Sequence, residues 1–257
     1  MNKWTRVKFQ PNLPLKESGR VTASKEHIQL SKEAAREGMV LLKNEKKLLP
    51  LAEGTRIALF GKGSFDYVKG GGGSGDVTVS YVHNLYDGLK MQENTVQIYE
   101  PLSDFYRTDI QHQYEKGAVP GMTVEPELTA ELADGAKAFA DVALVVISRF
   151  SGEGWDRSSV ECSNEFNPWE TETSMPKISA EVFPDGDFYL TAREKAMLAM
   201  VKERFENIAV VLNIGGVIDL SWIKNDDQIG AALLGWQGGM EGGLAMGELL
   251  TGKDNPS

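Results

Sequence analysis

Val142-Ala143-Leu144-Val145-Val146-Ile147 runs without a polar residue, then gives way to Ser148-Arg149-Phe150-Ser151-Gly152-Glu153-Gly154-Trp155-Asp156-Arg157. An aliphatic run of this length, rich in β-branched residues, is the form of a strand buried on both faces of a parallel sheet. Comparable runs stand at 57–60, closed by Gly61, and at 96–99, 208–213 and 230–235. Around them, 127–140, 191–205 and 240–250 read as helices, and Thr191 with Glu194 has the spacing of a capping box. Strands alternating with helices predict an α/β fold, a three-layer αβα sandwich on a mostly parallel sheet of five or six strands.

Upstream, Ile28, Leu30, Ala34, Ala35, Met39 and Leu42 recur on one face of a helix expected to end before Leu48-Leu49-Pro50. The expected organisation is an N-terminal extension at 1–26 and one sandwich domain at 27–257. An inserted loop at 158–186 is too long and polar for an ordinary βα connection and suits the rim of a functional site.

With 257 residues, 41% hydrophobic and 25% charged, the chain can bury a sizeable core. Acidic residues outnumber basic ones by 37 to 27, and no cationic stripe is present to attract phosphates, so nucleic acid is not an expected partner. The single cysteine, Cys162, excludes an intrachain disulfide and thiolate metal clusters. His27, His83 and His112 lack the paired spacing of zinc ligands, so no metal is expected. No apolar run is long enough for a bilayer and the basic start leads into Pro11 and Pro14, so no membrane is expected and a cytoplasmic location is the simplest reading.

Two glycine-rich patches invite a phosphate-binding reading. In Gly61-Lys62-Gly63-Ser64-Phe65-Asp66, Asp66 stands where a dinucleotide fingerprint needs its third glycine, and no GKS or GKT follows. No cofactor is expected. The patch Gly70-Gly71-Gly72-Gly73-Ser74-Gly75 is either a hinge or a place where backbone must approach a ligand closely.

In open α/β sheets ligands bind outside the carboxyl ends of the strands, which is where Glu153 falls. Glycines on both sides leave it approachable, and a glutamate beside Trp155 gains the apolar surroundings that raise a carboxyl pKa as a general acid requires. Spacing alone favours a plainer reading, a surface loop whose acids pair with Arg149 and Arg157.

Several segments together resemble glycoside hydrolase family 3, in its C-terminal (α/β)6 sandwich domain. They are Ala34 through Asn44 with Leu48-Leu49-Pro50-Leu51, the strand ending Phe60-Gly61, the 70–77 loop and Glu153-Gly154-Trp155-Asp156-Arg157. Val211-Leu212-Asn213-Ile214-Gly215-Gly216, Gly235-Trp236-Gln237-Gly238-Gly239-Met240-Glu241-Gly242-Gly243 and Asn255-Pro256-Ser257 complete the set. The resemblance implies that Glu153 is the acid/base that protonates the leaving glycosidic oxygen, with Asp156, Arg157, Gly152 and Gly154 bracing its loop. It implies aglycone-side contacts at Ser74 and Asp76, and Trp155 as the best of the tryptophans, ahead of Trp169 and Trp236, for stacking on a sugar ring.

Retaining family members also need a nucleophilic aspartate on a (β/α)8 barrel, about 5 Å from the acid. The segment Ser103-Asp104-Phe105 echoes it without its surroundings, and Asp104 is not expected to be catalytic. The pattern resembles members with inverted domain order, cut before the linker and barrel. The expected partners are a β-glucoside or oligosaccharide, the barrel of the same polypeptide and, through the face that barrel would cover, a second copy of the chain. The expected function is half of a retaining exo-acting β-glucosidase; a non-catalytic carbohydrate-binding or barrel-assembly module is the alternative.

Overall fold

The computed structural model describes residues 23–92, 95–153 and 175–257, excluding the side chains of Ser74, Met175 and Pro176. Its six strands are β1 (Val40–Lys43), β2 (Thr55–Phe60), β3 (Val96–Ile98), β4 (Val142–Arg149), β5 (Ile208–Ile214) and β6 (Ile229–Leu234). They form one sheet in the order β1-β6-β5-β4-β2-β3, parallel except for β1. The helices in chain order are α1 (Lys25–Gly38), α2 (Leu85–Lys90), α3 (Glu100–Glu115), α4 (Ala130–Phe139), α5 (Met175–Val182), α6 (Ala192–Lys202), α7 (Ser221–Lys224) and α8 (Gly242–Leu250).

All eight residues of β4 are buried, and their alternation divides the core. Ala143, Val145 and Ile147 pack with Ala133 and Ala136 of α4 and with Met197 and Val201 of α6. Val142, Leu144 and Val146 face Leu85 and Leu89 of α2 and Ala245, Met246 and Leu249 of α8. A period of two with both faces covered is why the strand reads as a continuous apolar run. No described helix is long and apolar enough to cross a membrane.

Chain order reverses between β2 and β4: β3 lies outward of β2 on one side, while β4, β5 and β6 step away on the other. Such a switch leaves a crevice at the strands' carboxyl ends. Here the crevice is narrow at its base, because Gly63 sits where a Cβ would fall 2.9 Å from the Val146 carbonyl oxygen.

Three expectations need correction. The upstream helix stops at Gly38, not near Leu42: Met39 is already extended, and Val40–Lys43 forms a strand antiparallel to β6. The apolar spacing fits both periods, and β6, whose edge would otherwise be unpaired, decides for the strand. Residues 100–115, left without an element by the sequence reading, form α3 with Pro101 in the first turn, where its missing N–H costs nothing. The expected insertion at 158–186 is not all loop, because its later part contains α5 and then the buried Phe183. Residues 158–174, with Cys162 and Trp169, lie outside the described residues.

Candidate active site

Glu153 stands four residues beyond the carboxyl end of β4 and is exposed. Its loop is packed backbone to backbone on the glycine loop after β2. A Cβ on Gly71 would fall 2.7 Å from the Ser151 carbonyl oxygen, and one on Gly152 would fall 2.6 Å from the Gly72 nitrogen. At Gly73, whose φ is +73°, a Cβ would meet the Glu153 side chain, 2.6 Å from its Cβ and 2.5 Å from Oε2. Glycine there supplies both the left-handed conformation and the room for the carboxyl. The 150–153 and 70–76 loops therefore share one end of the sheet.

Asp76 lies on the same glycine loop, exposed, with Lys69 Nζ 2.7 Å from its Oδ1. With Gly70, Gly72, Gly73 and Phe150 it lines a hollow of about 490 Å³. Ser74 belongs to the short 3-10 turn Gly73–Gly75, and its side chain is outside the described set. Gly154, Trp155, Asp156 and Arg157 also lie outside the described residues, while Gly152 is placed directly under the glycine loop. Asp104 sits exposed on α3, paired with Arg107 at 2.5 Å. Trp236 is partly exposed at the end of β6 and holds a left-handed backbone, φ 50°.

Arg149 is buried at the end of β4. It turns inward and grips Glu194 in a bidentate pair at 2.7 and 2.6 Å, and donates to the carbonyls of Asp187 and Tyr189. Burial opposes charge on both partners, but their contact outweighs it: the carboxyl of Glu194 is held below its ordinary range and Arg149 is raised. Glu194 also completes the predicted capping box of α6, accepting from Thr191 N–H at 2.8 Å.

The sequence reading missed the rest of this buried charge. Asp66, the residue that spoils the dinucleotide fingerprint, accepts from Tyr114 Oη at 2.7 Å, Gly121 N–H at 2.6 Å, Thr123 Oγ1 at 2.5 Å and Lys62 Nζ at 3.2 Å. Lys62 Nζ also donates to the Thr123 carbonyl. Glu125 accepts from Lys62 N–H at 2.8 Å, while its other oxygen and the neighbouring Tyr106 hydroxyl do not meet hydrogen-bond geometry. Burial first, and Glu194 after it, push the Glu125 carboxyl up to about 7, against the Lys62 N–H that lowers it. The available signal was the set of lone charges beside apolar strand ends, but sequence does not say which of them meet.

The Glycosyl hydrolase family 3 C-terminal domain model matches residues 39–257. The chain is 54% identical over its full length to Beta-glucosidase A of Butyrivibrio fibrisolvens, spanning 31% of that protein. It is 30% identical to a Beta-glucosidase of Ruminococcus albus, covering 90% of this chain and 22% of the relative. A solved beta-glucosidase from Paenibacillus barengoltzii superposes with a TM-score of 0.74 at 33% identity, over 91% of this chain and 23% of that one. Beta-glucosidase 3B from Thermotoga neapolitana gives a TM-score of 0.71 at 33% identity, over 90% and 30%. The chain thus spans less than a third of the length of these relatives. By fold, motif order and extent of match, it belongs to glycosyl hydrolase family 3, as that family's C-terminal domain.

Proposed function

We propose that this chain is the acid/base-bearing domain of a retaining, exo-acting β-glucosidase, with Glu153 as the proton donor and the nucleophile on a barrel domain outside it. The observation that carries the reading is the exposed Glu153 side chain laid over Gly73 at the carboxyl end of β4. Relatives named beta-glucosidases supply the substrate class, and structures of the Thermotoga protein are described as complexes with glucose. More distant relatives are named for arabinopyranosidase and xylosidase activity, which suits a domain that supplies the acid while other parts choose the sugar.

In the first step the Glu153 proton passes to the glycosidic oxygen as the C1–O bond breaks and the nucleophile takes C1. In the second, the Glu153 carboxylate removes a proton from the water that displaces the nucleophile. Trp155 would stack on the sugar ring, and Ser74 and Asp76 would meet the aglycone. Asp156, Arg157, Gly152 and Gly154 would hold the loop.

The test is Glu153→Gln in the full-length protein. General acid catalysis supplies roughly 10²- to 10⁴-fold, so kcat/KM for glucosides with poor leaving groups should fall by that factor. Activated aryl glucosides, whose phenolates depart without a proton, should lose far less. Equal, unimpaired turnover of both classes would return Glu153 to a structural role. The 257-residue chain alone should hydrolyse neither, because it provides the acid without the nucleophile.

A further inference from the structure

Two loops at the site end of the sheet converge on one side chain that the proposed chemistry does not use. Asn213 is fully buried near the carboxyl end of β5. Its Oδ1 accepts from Val68 N–H at 2.7 Å, and its Nδ2 donates to the Val68 carbonyl at 2.9 Å and the Trp236 carbonyl at 2.7 Å. One planar amide thus satisfies both backbone groups of Val68 and ties them to the chain leaving β6.

Each of those partners leads to Glu153. Val68 is the stem of the glycine loop, and the next residue, Lys69, accepts from Gly239 N–H at 2.7 Å. Beyond it Gly71 and Gly72 lie on Ser151 and Gly152, and Gly73 lies under the Glu153 side chain. On the other branch, Trp236 keeps a backbone conformation that non-glycine residues rarely adopt, which persists only where the surroundings hold it. Its neighbour Gln237 extends Nε2 to the Ser151 carbonyl, at 3.5 Å. A shift of Val68 or Trp236 is therefore passed to both sides of the loop that carries the acid.

We infer that Asn213 is the positioning residue for the acid/base: its amide fixes the glycine-loop stem and the Trp236 carbonyl to the sheet, and so sets where Glu153 presents its proton. This rests on the reading of Glu153 given above. The chemistry selects asparagine because the position needs one acceptor and two donors on a short planar group. A carboxylate of the same shape would put a single oxygen, with no proton to give, in front of the two carbonyls that Nδ2 now serves, and a leucine would remove the partner of all three backbone groups.

The experiment uses the full-length protein and a series of aryl β-glucosides of graded leaving-group pKa, with kcat/KM followed against pH for wild type, Asn213→Asp and Glu153→Gln. Thr129→Ala, which removes the N-cap of α4 and whose side chain bonds Leu132 N–H rather than any residue of these loops, serves as the control for lost stability alone. Displacement of a catalytic group by about 1 Å can cost on the order of 10²-fold. Asn213→Asp should therefore lose ~10- to 100-fold on the poorest leaving groups and only a few-fold on the best, with the alkaline limb of the pH profile displaced. Thr129→Ala should leave the leaving-group dependence as in wild type. A loss in Asn213→Asp that is the same for every leaving group, or no loss, would reduce Asn213 to a structural residue and overturn the inference. If Glu153→Gln itself shows no leaving-group dependence, the reading of Glu153 fails; if it does while Asn213→Asp does not, only the positioning role falls. Should the Asp variant not fold, Asn213→Ser, which keeps one donor and an acceptor, is judged by the same two outcomes.

Discussion

On one side of the carboxyl end of β4 the chain closes with backbone against backbone, Gly71 and Gly72 lying on Ser151 and Gly152. On the other it closes with buried charge, Arg149 holding Glu194 and Lys62 holding Asp66. The two constructions suit two tasks. Glycine leaves no side chain between Glu153 and whatever approaches it, so that side can be both close-packed and open to a ligand. Buried pairs, which are expensive unless every member is partnered, give the strand end a fixed direction from which the loop departs.

The charged side should break most severely. Arg149→Met leaves Glu194 buried at 1% exposure without its partner, and such a cut typically costs about 3–5 kcal/mol. Urea unfolding of the chain at neutral pH measures it, and Arg149→Met combined with Glu194→Met should recover much of the loss, since an apolar pair needs no compensating charge. A single variant as stable as wild type would mean that Glu194 is readily hydrated or neutralised in the fold.

Glu125 sharpens the contrast, because Lys62 and Arg149 already hold Asp66 and Glu194 in direct ion pairs. Its folded carboxyl titrates at about 7 against an ordinary 4.5. Between those values the unfolded chain has released the proton while the folded chain keeps it, so stability falls as pH rises through the window and is flat above it. The cost reaches about 3 kcal/mol at the top of the window. Glu125→Gln keeps an acceptor for Lys62 N–H and removes the titration. It should match wild type near pH 4 and exceed it by up to about 3 kcal/mol at pH 8, measured by denaturant unfolding at both pH values. An unchanged pH dependence in the variant would show that Glu125 ionises at its usual pH.

The glycine side should fail in activity before it fails in stability. Gly152→Ala places a methyl 2.6 Å from the Gly72 nitrogen and 2.9 Å from its Cα, where neither backbone can yield independently. The loops must part, and Glu153 moves with them. A loss of about tenfold in kcat/KM for poor leaving groups is expected, with a fall in Tm of only a few degrees. A large drop in Tm with activity retained per folded molecule would reverse the roles assigned to the two sides.

The central strands were legible because burial on both faces leaves an unbroken aliphatic run. β1 was not, because Met39 and Leu42 continue a helical spacing and only the edge of β6 settles the matter. α3 was hidden by Pro101, which marks a helix's first turn as readily as a strand's exit. Glu153 could be singled out from its glycines and its place after the longest strand, but its role came from the resemblance, since spacing alone favours a salt-bridged loop. The buried charges could not be paired from sequence, as Lys62, Glu125 and Glu194 come together only when β2 and β4 become neighbours. Asn213 did carry a signal, an amide ending an otherwise aliphatic strand, which is costly to bury unless the end of that strand is crossed by other backbone.

The smallest effect should come from Asp104, the residue whose Ser-Asp-Phe context imitates a nucleophile segment. Its side chain is 62% exposed and its partner Arg107 is one turn away on the same helix. α3 packs on the sheet through Leu102 and Tyr106, so Asp104 points away from the core and belongs to neither construction at the end of β4. Exposed pairs of this kind contribute little, because water already solvates both charges and two long side chains lose freedom in meeting. Asp104→Asn should therefore change unfolding free energy by less than about 0.5 kcal/mol. In the full-length protein it should leave kcat/KM within twofold, roughly the scatter expected for substitutions outside a site, for good and poor leaving groups alike. A nucleophile behaves otherwise: its loss removes the glycosyl-enzyme and abolishes turnover of every substrate in the series. Collapse of activity in Asp104→Asn with the fold intact would place the second carboxyl inside this chain, and the proposed division of labour between sandwich and barrel would have to be abandoned.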